Sequence, residues 1–236
     1  MQNMRCFTLQ QPKFTHFKSN KIYMHFDTLI FDLDGTLSDP KLGVVRSMNF
    51  ALSSFDYTPL SEQEITRHIG PPLEETIQQI IGSDDGYHVD EVVAKYRERY
   101  FEIGYTENKL YPHILEMLSN LAERDIRMGV CTSKFQSIAE KILEKFTVRQ
   151  YFEFVSGPTK KMVKAKQLEN LLAKNIISGN AIMIGDRAID LIAAKSNGLA
   201  KAAVLWGYGD EKELLAEKPE FLFADPPQLT AQFIGA

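Results

Sequence analysis

Asp32 and Asp34 stand two residues apart in Phe31-Asp32-Leu33-Asp34-Gly35-Thr36-Leu37, directly after a short apolar run. If that run is a strand, alternation sends both carboxylates to one side, at the carboxyl edge where open α/β sheets bind ligands. Asp-x-Asp-Gly also occurs in calcium loops. That reading fails because no glutamate stands at loop position 12, in the region of Arg46, and because the loop begins inside a strand. A plain acidic turn bent at Gly35 is the other alternative.

Three further strand ends carry polar groups. Gly185-Asp186-Arg187-Ala188-Ile189-Asp190 follows an apolar run from Ala181 to Ile184. Its second carboxylate comes one helical turn after the first, on the same face, although helix capping would explain either residue alone. Thr132 and Ser133 follow a run from Ile126 to Cys131 and precede helical periodicity at Phe135. They could cap that helix, or mark a phosphate held at its free N–H groups. Lys160, Lys161, Lys164 and Lys166 follow a run from Phe152 to Val155, and a solvated basic face would account for most of them. The coincidence of all four strand ends outweighs these separate explanations. Clustered carboxylates repel unless a cation joins them, and oxygen ligands with no nearby His or Cys select magnesium over zinc. The expected site is anionic ligands around magnesium, facing a phosphate.

The elements that must position these groups read as an α/β fold, a doubly wound parallel sheet with a Rossmann-like core. Strands are expected at Thr28 to Phe31, Ile126 to Cys131, Phe152 to Val155, Ala181 to Ile184, Ala202 to Leu205 and Phe221 to Phe223. Helical spacing connects Ile114, Met117, Leu118 and Leu121, and likewise Phe135, Ile138, Ala139, Ile142, Leu143 and Phe146. From about Pro40 to Leu110 the alternation stops. Val45, Met48 and Leu52 mark one helix there, and Val89, Val92, Val93, Tyr96 and Tyr100 another. The expected organisation is an α/β core over 24–39 and 111–236 with a helical cap over 40–110. Residues 1–23 read as an upstream or disordered extension, with Met24 as the natural start.

Composition narrows the class. A chain of 236 residues, 44% hydrophobic and 25% charged, is ordinary for a globular protein able to bury a core. Lys plus Arg number 27 against 31 Asp plus Glu, a net charge of −4 that offers no basic field for a nucleic acid polymer. No apolar run approaches the ~18 residues of a membrane span. Cys6 and Cys131 lie far apart, which argues against a disulfide framework or zinc site and for a cytoplasmic location.

In order, Asp32-Leu33-Asp34-Gly35-Thr36, Thr132-Ser133, Lys164 and Gly185-Asp186-Arg187-Ala188-Ile189-Asp190 resemble the four motifs of the haloacid dehalogenase-like hydrolase superfamily, over Phe26 to Phe233. Three stretches resemble its phosphoglycolate phosphatase-like group and 5'-nucleotidase-like branch: Ile69-Gly70-Pro71-Pro72-Leu73, Lys164 spaced before Leu168 and Leu171-Leu172, and Leu205-Trp206-Gly207-Tyr208-Gly209. Two departures stand out. Lys161 competes with Lys164 for the third motif, and His113 replaces the glycine expected after Tyr111-Pro112.

The resemblance implies a phosphatase. Asp32 would be the nucleophile that forms an aspartyl phosphate, and Asp34 the acid and then the base. Magnesium would be held by Asp32, the backbone carbonyl of Asp34 and Asp186, with Asp190 orienting Lys164 or a metal-bound water; Thr132 and Lys164 would hold the phosphoryl oxygens. The substrate would be a small phosphorylated metabolite met by Thr132, Ser133, Gly70 and Arg67, with nucleoside 5'-monophosphates ahead of phosphoglycolate. Arg46 or Arg67 would be the cation required for phosphoglycolate. A dehalogenase is disfavoured by Asp34, and a phosphosugar mutase by the lack of a second acid/base pair in the cap. A phosphotransferase stays open, and a pseudoenzyme that only binds a phosphorylated ligand is disfavoured because all four motifs are present.

Overall fold

The computed structural model describes residues 26–159 and 162–235. In chain order its elements are β1 (Thr28–Phe31), β2 (Ser38–Asp39), α1 (Lys41–Ser53), α2 (Glu62–Thr66), α3 (Leu73–Ile81), α4 (Gly86–Glu102), β3 (Lys109–Leu110), α5 (Ile114–Ala122), β4 (Arg127–Cys131), α6 (Gln136–Lys145), β5 (Phe154–Ser156), α7 (Lys164–Ala173), β6 (Ala181–Gly185), α8 (Ala188–Ser196), β7 (Ala200–Val204), α9 (Glu211–Ala216), β8 (Phe221–Phe223) and α10 (Pro226–Ile234). The expected extension over 1–23, together with Cys6, Lys160 and Lys161, lies outside the described residues.

Six strands form a parallel sheet in the order β5-β4-β1-β6-β7-β8. All four residues of β1 and all five of β6 are buried, as strands covered on both faces must be. Alternation sorts their side chains. Leu29, Phe31, Val130, Ile182 and Ile184 join a core with residues of α5, α6 and α10, whereas Ile30, Cys131 and Met183 meet Leu168 and Leu171 of α7 and Ala193 and Ala194 of α8.

Between β2 and β3 the described chain is helical throughout its regular elements. Buried Met48, Ala51 and Leu52 of α1 meet the apolar face of α4, where Val89, Val92, Val93, Tyr96 and Tyr100 recur at helical spacing. Asp85 caps α4 by accepting from the Tyr87 N–H at 3.0 Å, and a reciprocal Ser61–Glu64 box starts α2, each satisfying N–H groups that a helix start leaves free. β2 and β3 pair antiparallel, Ser38 with Leu110 and Asp39 with Lys109, and so fasten the chain where it leaves and re-enters the core. Two-residue strands have no readable periodicity, which is why the sequence does not reveal them. His113 adopts φ of 64° at the start of α5, the left-handed region that favours the glycine expected there.

Several expected boundaries shift. Phe152 follows a 3-10 turn, and its strand begins at Phe154. The strand expected at Ala202 to Leu205 begins at Ala200 and ends at Val204, because the charged Lys201 interrupts the apolar run at its start. No helix among the described residues is long and apolar enough to cross a membrane.

Gly129 of β4 pairs with Phe154 of β5, and a Cβ built on it would lie 2.1 Å from the ring's Cζ. Gly129→Ala is therefore expected to cost ~1–3 kcal/mol through overpacking. Urea unfolding measures this, and an unchanged midpoint would show that the ring moves aside freely.

Candidate active site

β1 lies between β4 and β6 in the sheet, so Asp32 after β1, Thr132 after β4 and Asp186 after β6 converge at one carboxyl edge. The first residue of α7, Lys164, and Asp190 in the first turn of α8 reach the same place. Carboxylate oxygens of Asp32, Asp186 and Asp190 come within 4.8 Å of one another, and all three residues are buried. Lys164 Nζ lies 3.0 Å from Asp32 Oδ1 and also pairs with Asp190 Oδ1, with its side chain fully buried.

Each carboxylate is held in place. Asp32 Oδ1 accepts from the Leu33 N–H at 2.8 Å. Asp186 accepts from Thr36 Oγ1 at 3.1 Å and from the Tyr208 N–H at 2.8 Å. Asp190 Oδ2 accepts from the Arg187 N–H at 3.1 Å. Gly35, at φ of 89°, lets the two acidic loops approach, since a Cβ there would sit 2.1 Å from Asp186 Oδ2. Burial pushes the Asp186 carboxyl up to about 8, and the neighbouring charges of Asp190 and Asp32 push the same way. Burial opposes the charge on Lys164, but Asp190 and Asp32 overcome it and raise its pKa. Three carboxylates against one ammonium leave a net negative, all-oxygen cluster, and these residues fit a divalent cation.

Asp34 stands apart from that cluster. Its Oδ2 lies 2.8 Å from Lys134 Nζ, so its side chain is engaged away from the three carboxylates. Burial raises its pKa, while Lys134 pulls it down.

A cavity of about 810 Å³ opens from this edge toward the helical insertion. Asp32, Asp34, Thr132, Ser133 and Lys134 line it from the sheet, and His68, Ile69, Gly70, Pro71, Pro72, Leu73, Tyr96, Arg97, Tyr100 and Phe101 from the insertion. Gly70 is thus brought to the site. Arg67 is not: it is exposed, its Nε donates to the Glu64 carbonyl at 3.1 Å, and it does not line the cavity. Arg46 is engaged instead with Glu107 at 2.6 Å. Thr132 and Ser133 do not cap α6, whose N-cap is Phe135; the Thr132 hydroxyl accepts from the Lys134 N–H at 3.2 Å. Nor is Asp186 a cap, because α8 begins after Arg187.

Sequence reasoning overlooked Lys134 and Tyr100, and gave no role to Thr36 or Trp206, whose Nε1 donates to the Thr36 carbonyl at 2.9 Å. Thr132-Ser133-Lys134 did contain the signal, since a lysine two residues past a candidate phosphate-binding hydroxyl lies on the same loop. Tyr100 looked like any core residue of α4.

Residues 29–204 match the family of haloacid dehalogenase-like hydrolases. The chain belongs to that family. It is 34% identical to a 5'-nucleotidase of Pseudomonas aeruginosa over 206 residues, 86% of this chain and 93% of that protein. It is also 34% identical to the tyrosine-protein kinase PtkA of Mycobacterium tuberculosis over 186 residues, 77% of this chain but 62% of that protein. Among solved structures, a predicted phosphatase from Clostridium acetobutylicum superposes with a TM-score of 0.85 at 28% identity, covering 90% of this chain and all of that one. The protein is a phosphoric monoester hydrolase of this haloacid dehalogenase-like family.

The crowded carboxylates make stability depend on pH when no cation is bound. Folded Asp186 keeps its proton up to about 8, whereas an unfolded aspartate releases it near 4, ~3.9. The folded state therefore binds more protons across that interval, and stability falls as pH rises through it. In chelator, the melting temperature is expected to drop between pH 6 and pH 9, and Asp186→Asn to flatten the drop. Magnesium should raise the wild-type value most at the alkaline end. Equal slopes for the two proteins would contradict the assignment.

Proposed function

We propose that the protein is a magnesium-dependent phosphatase that cleaves small phosphate monoesters through an aspartyl phosphate, and that its substrates are nucleoside 5'-monophosphates. The observation that carries the chemistry is the buried Lys164 lying 3.0 Å from Asp32 Oδ1 beside Asp186 and Asp190. Asp32 and Asp186 would hold magnesium with the backbone carbonyl of Asp34. When bound, the ion supplies positive charge that lets one anion approach another.

Asp32 attacks phosphorus, the bond to the leaving oxygen breaks, and Asp34 gives that oxygen its proton. Asp34 then takes a proton from the water that attacks the aspartyl phosphate, which frees inorganic phosphate and restores Asp32. Lys164 and Thr132 hold the phosphoryl oxygens. Asp190 acts mainly through Lys164, because both of its oxygens are engaged, one by Lys164 and one by the Arg187 N–H.

The leaving-group side of the cavity supports the substrate class. About 810 Å³ is generous for a two-carbon acid and suits a nucleoside. Phe101 and Phe135 bring aromatic rings to the wall, backed by the buried pair Tyr96 and Tyr100. The cations that line the cavity are already paired: Arg97 with Glu74 at 2.7 Å, Lys134 with Asp34, and Lys166 with Glu169 at 2.6 Å. Burial, helped by Arg67 and Arg187, lowers the His68 pKa, so His68 offers a neutral ring to a base or sugar. A second carboxylate, as in phosphoglycolate, finds no unpaired cation among the described lining residues. Cys131 is a buried thiol whose pKa burial pushes up to about 12, so it stays protonated and takes no part in the chemistry.

Asp32→Asn keeps the side chain's shape and removes the anionic nucleophile. Turnover is expected to fall by at least ~10³-fold, with the fold retained, and chelation should abolish wild-type activity. Phosphate release at saturating substrate checks both, and unchanged turnover in the variant would refute covalent catalysis at Asp32. In the same assay, kcat/KM for a nucleoside 5'-monophosphate should exceed that for phosphoglycolate. A phosphoglycolate value ~10-fold above every nucleotide would reverse the assignment, a difference of ~1.4 kcal/mol in transition-state binding.

A further inference from the structure

We propose that Lys134 is a positioning residue for Asp34, and that Tyr100 of α4 holds Lys134 in place, so that the acid is fully placed only when the helical insertion is seated on the sheet. The inference rests on the reading of Asp34 as acid and base given above. Lys134 Nζ lies 2.8 Å from Asp34 Oδ2 and donates to Tyr100 Oη at 2.8 Å. It also sits 4.3 Å from the centroid of the Tyr100 ring. The backbone N–H of the same lysine is tied to Thr132 Oγ1.

These partners are well ordered by packing. The Lys134 and Asp34 side chains are 11% and 15% exposed. Tyr100 is buried and stacks on Tyr96, with ring centroids 5.3 Å apart and planes 12° apart. An exposed lysine gains little from one carboxylate, because holding a long side chain still offsets the attraction. Here the ammonium is shielded, with a carboxylate, a phenol oxygen and an aromatic face around it, a setting in which such contacts hold a defined geometry.

The two oxygens of Asp34 differ in consequence. Oδ2 is engaged by Lys134, whereas Oδ1 is buried with no hydrogen-bond partner among the described residues. The carboxyl is thereby fixed with one oxygen left to meet the leaving group, and proton transfer requires an approach of ~2.6–3.2 Å. Without Lys134 the carboxyl is free to rotate. Since Tyr100 comes from the insertion and Asp34 and Lys134 from loops at the sheet edge, the three-part contact spans the two.

The leaving group distinguishes this role from a structural or phosphate-binding one. An alkoxide needs a proton to depart, whereas p-nitrophenolate leaves without one, and kcat/KM reports steps only through that departure. Lys134→Met, Tyr100→Phe and Asp34→Asn are to be assayed on p-nitrophenyl phosphate and on the better of a nucleoside 5'-monophosphate and phosphoglycolate. For Lys134→Met, kcat/KM is expected to fall ~10–100-fold on the alkyl ester and less than ~3-fold on the aryl ester. Tyr100→Phe, which keeps the ring, should show the same selectivity at smaller size, and Asp34→Asn the same at larger size. Equal losses on both esters in Lys134→Met and Tyr100→Phe, with Asp34→Asn still selective, would overturn this inference alone. Equal losses in Asp34→Asn would overturn the acid role of Asp34, and this inference with it.

Discussion

The buried ammonium of Lys164, held between Asp32 and Asp190, is the constraint to which the rest of the site answers. A buried charge is tolerated only when paired and hydrogen-bonded, and removal of one partner leaves the others uncompensated in a medium that solvates them poorly. Asp32 comes from the end of β1, Asp190 from α8 and Lys164 from α7, so the pairing requires β1 and β6 to be neighbours and both helices to start at the same sheet edge. Asp186 adds a third carboxyl group that the lysine does not pair with, and burial and crowding hold its pKa at about 8. The cluster fits a divalent cation, and on the proposed reading that cation would in turn draw a phosphate.

The helical insertion completes what the sheet edge leaves open. Its 69–73 loop is pinned to the core by Arg187, which donates to the Ile69 carbonyl and pairs with Glu213 at 2.9 Å. Arg187 stands between Asp186 and the start of α8, so one stretch of chain both carries a carboxylate of the cluster and fastens the cavity's roof. Tyr96, Tyr100 and Phe101 stand among aliphatic and proline residues in the lining of that roof, its Arg97 is paired with Glu74, and its His68 is held toward the neutral form. On the proposed reading the leaving group would meet mainly the insertion, which also reaches the sheet edge through the contact of Tyr100 with Lys134.

Much of this was legible in the sequence because strands buried on both faces are continuous apolar runs, and because polar residues recur at the ends of four of them. Asp32, Thr132, Lys164, Asp186 and Asp190 are each unremarkable alone and informative together. What escaped has physical reasons. The β2–β3 pairing is too short for a period, and the charge of Lys201 hides the first two residues of β7. Arg67 is drawn onto the Glu64 carbonyl, a contact three residues away in sequence that makes it a surface residue. Lys134 stands on a loop that the sequence marks, but its pairing with Tyr100, 34 residues earlier on a different element, is encoded by no local pattern.

The central claim is that Asp32 carries the phosphoryl group during turnover. Borohydride reduces an acyl phosphate at an aspartate to homoserine and leaves a free carboxylate alone, so quenching the magnesium-loaded enzyme during steady turnover and mapping its peptides by mass tests the claim directly. The account predicts homoserine at residue 32, dependent on both substrate and magnesium and absent from Asp32→Asn. Sustained turnover with residue 32 recovered only as aspartate, or with the modification at another residue, would contradict it.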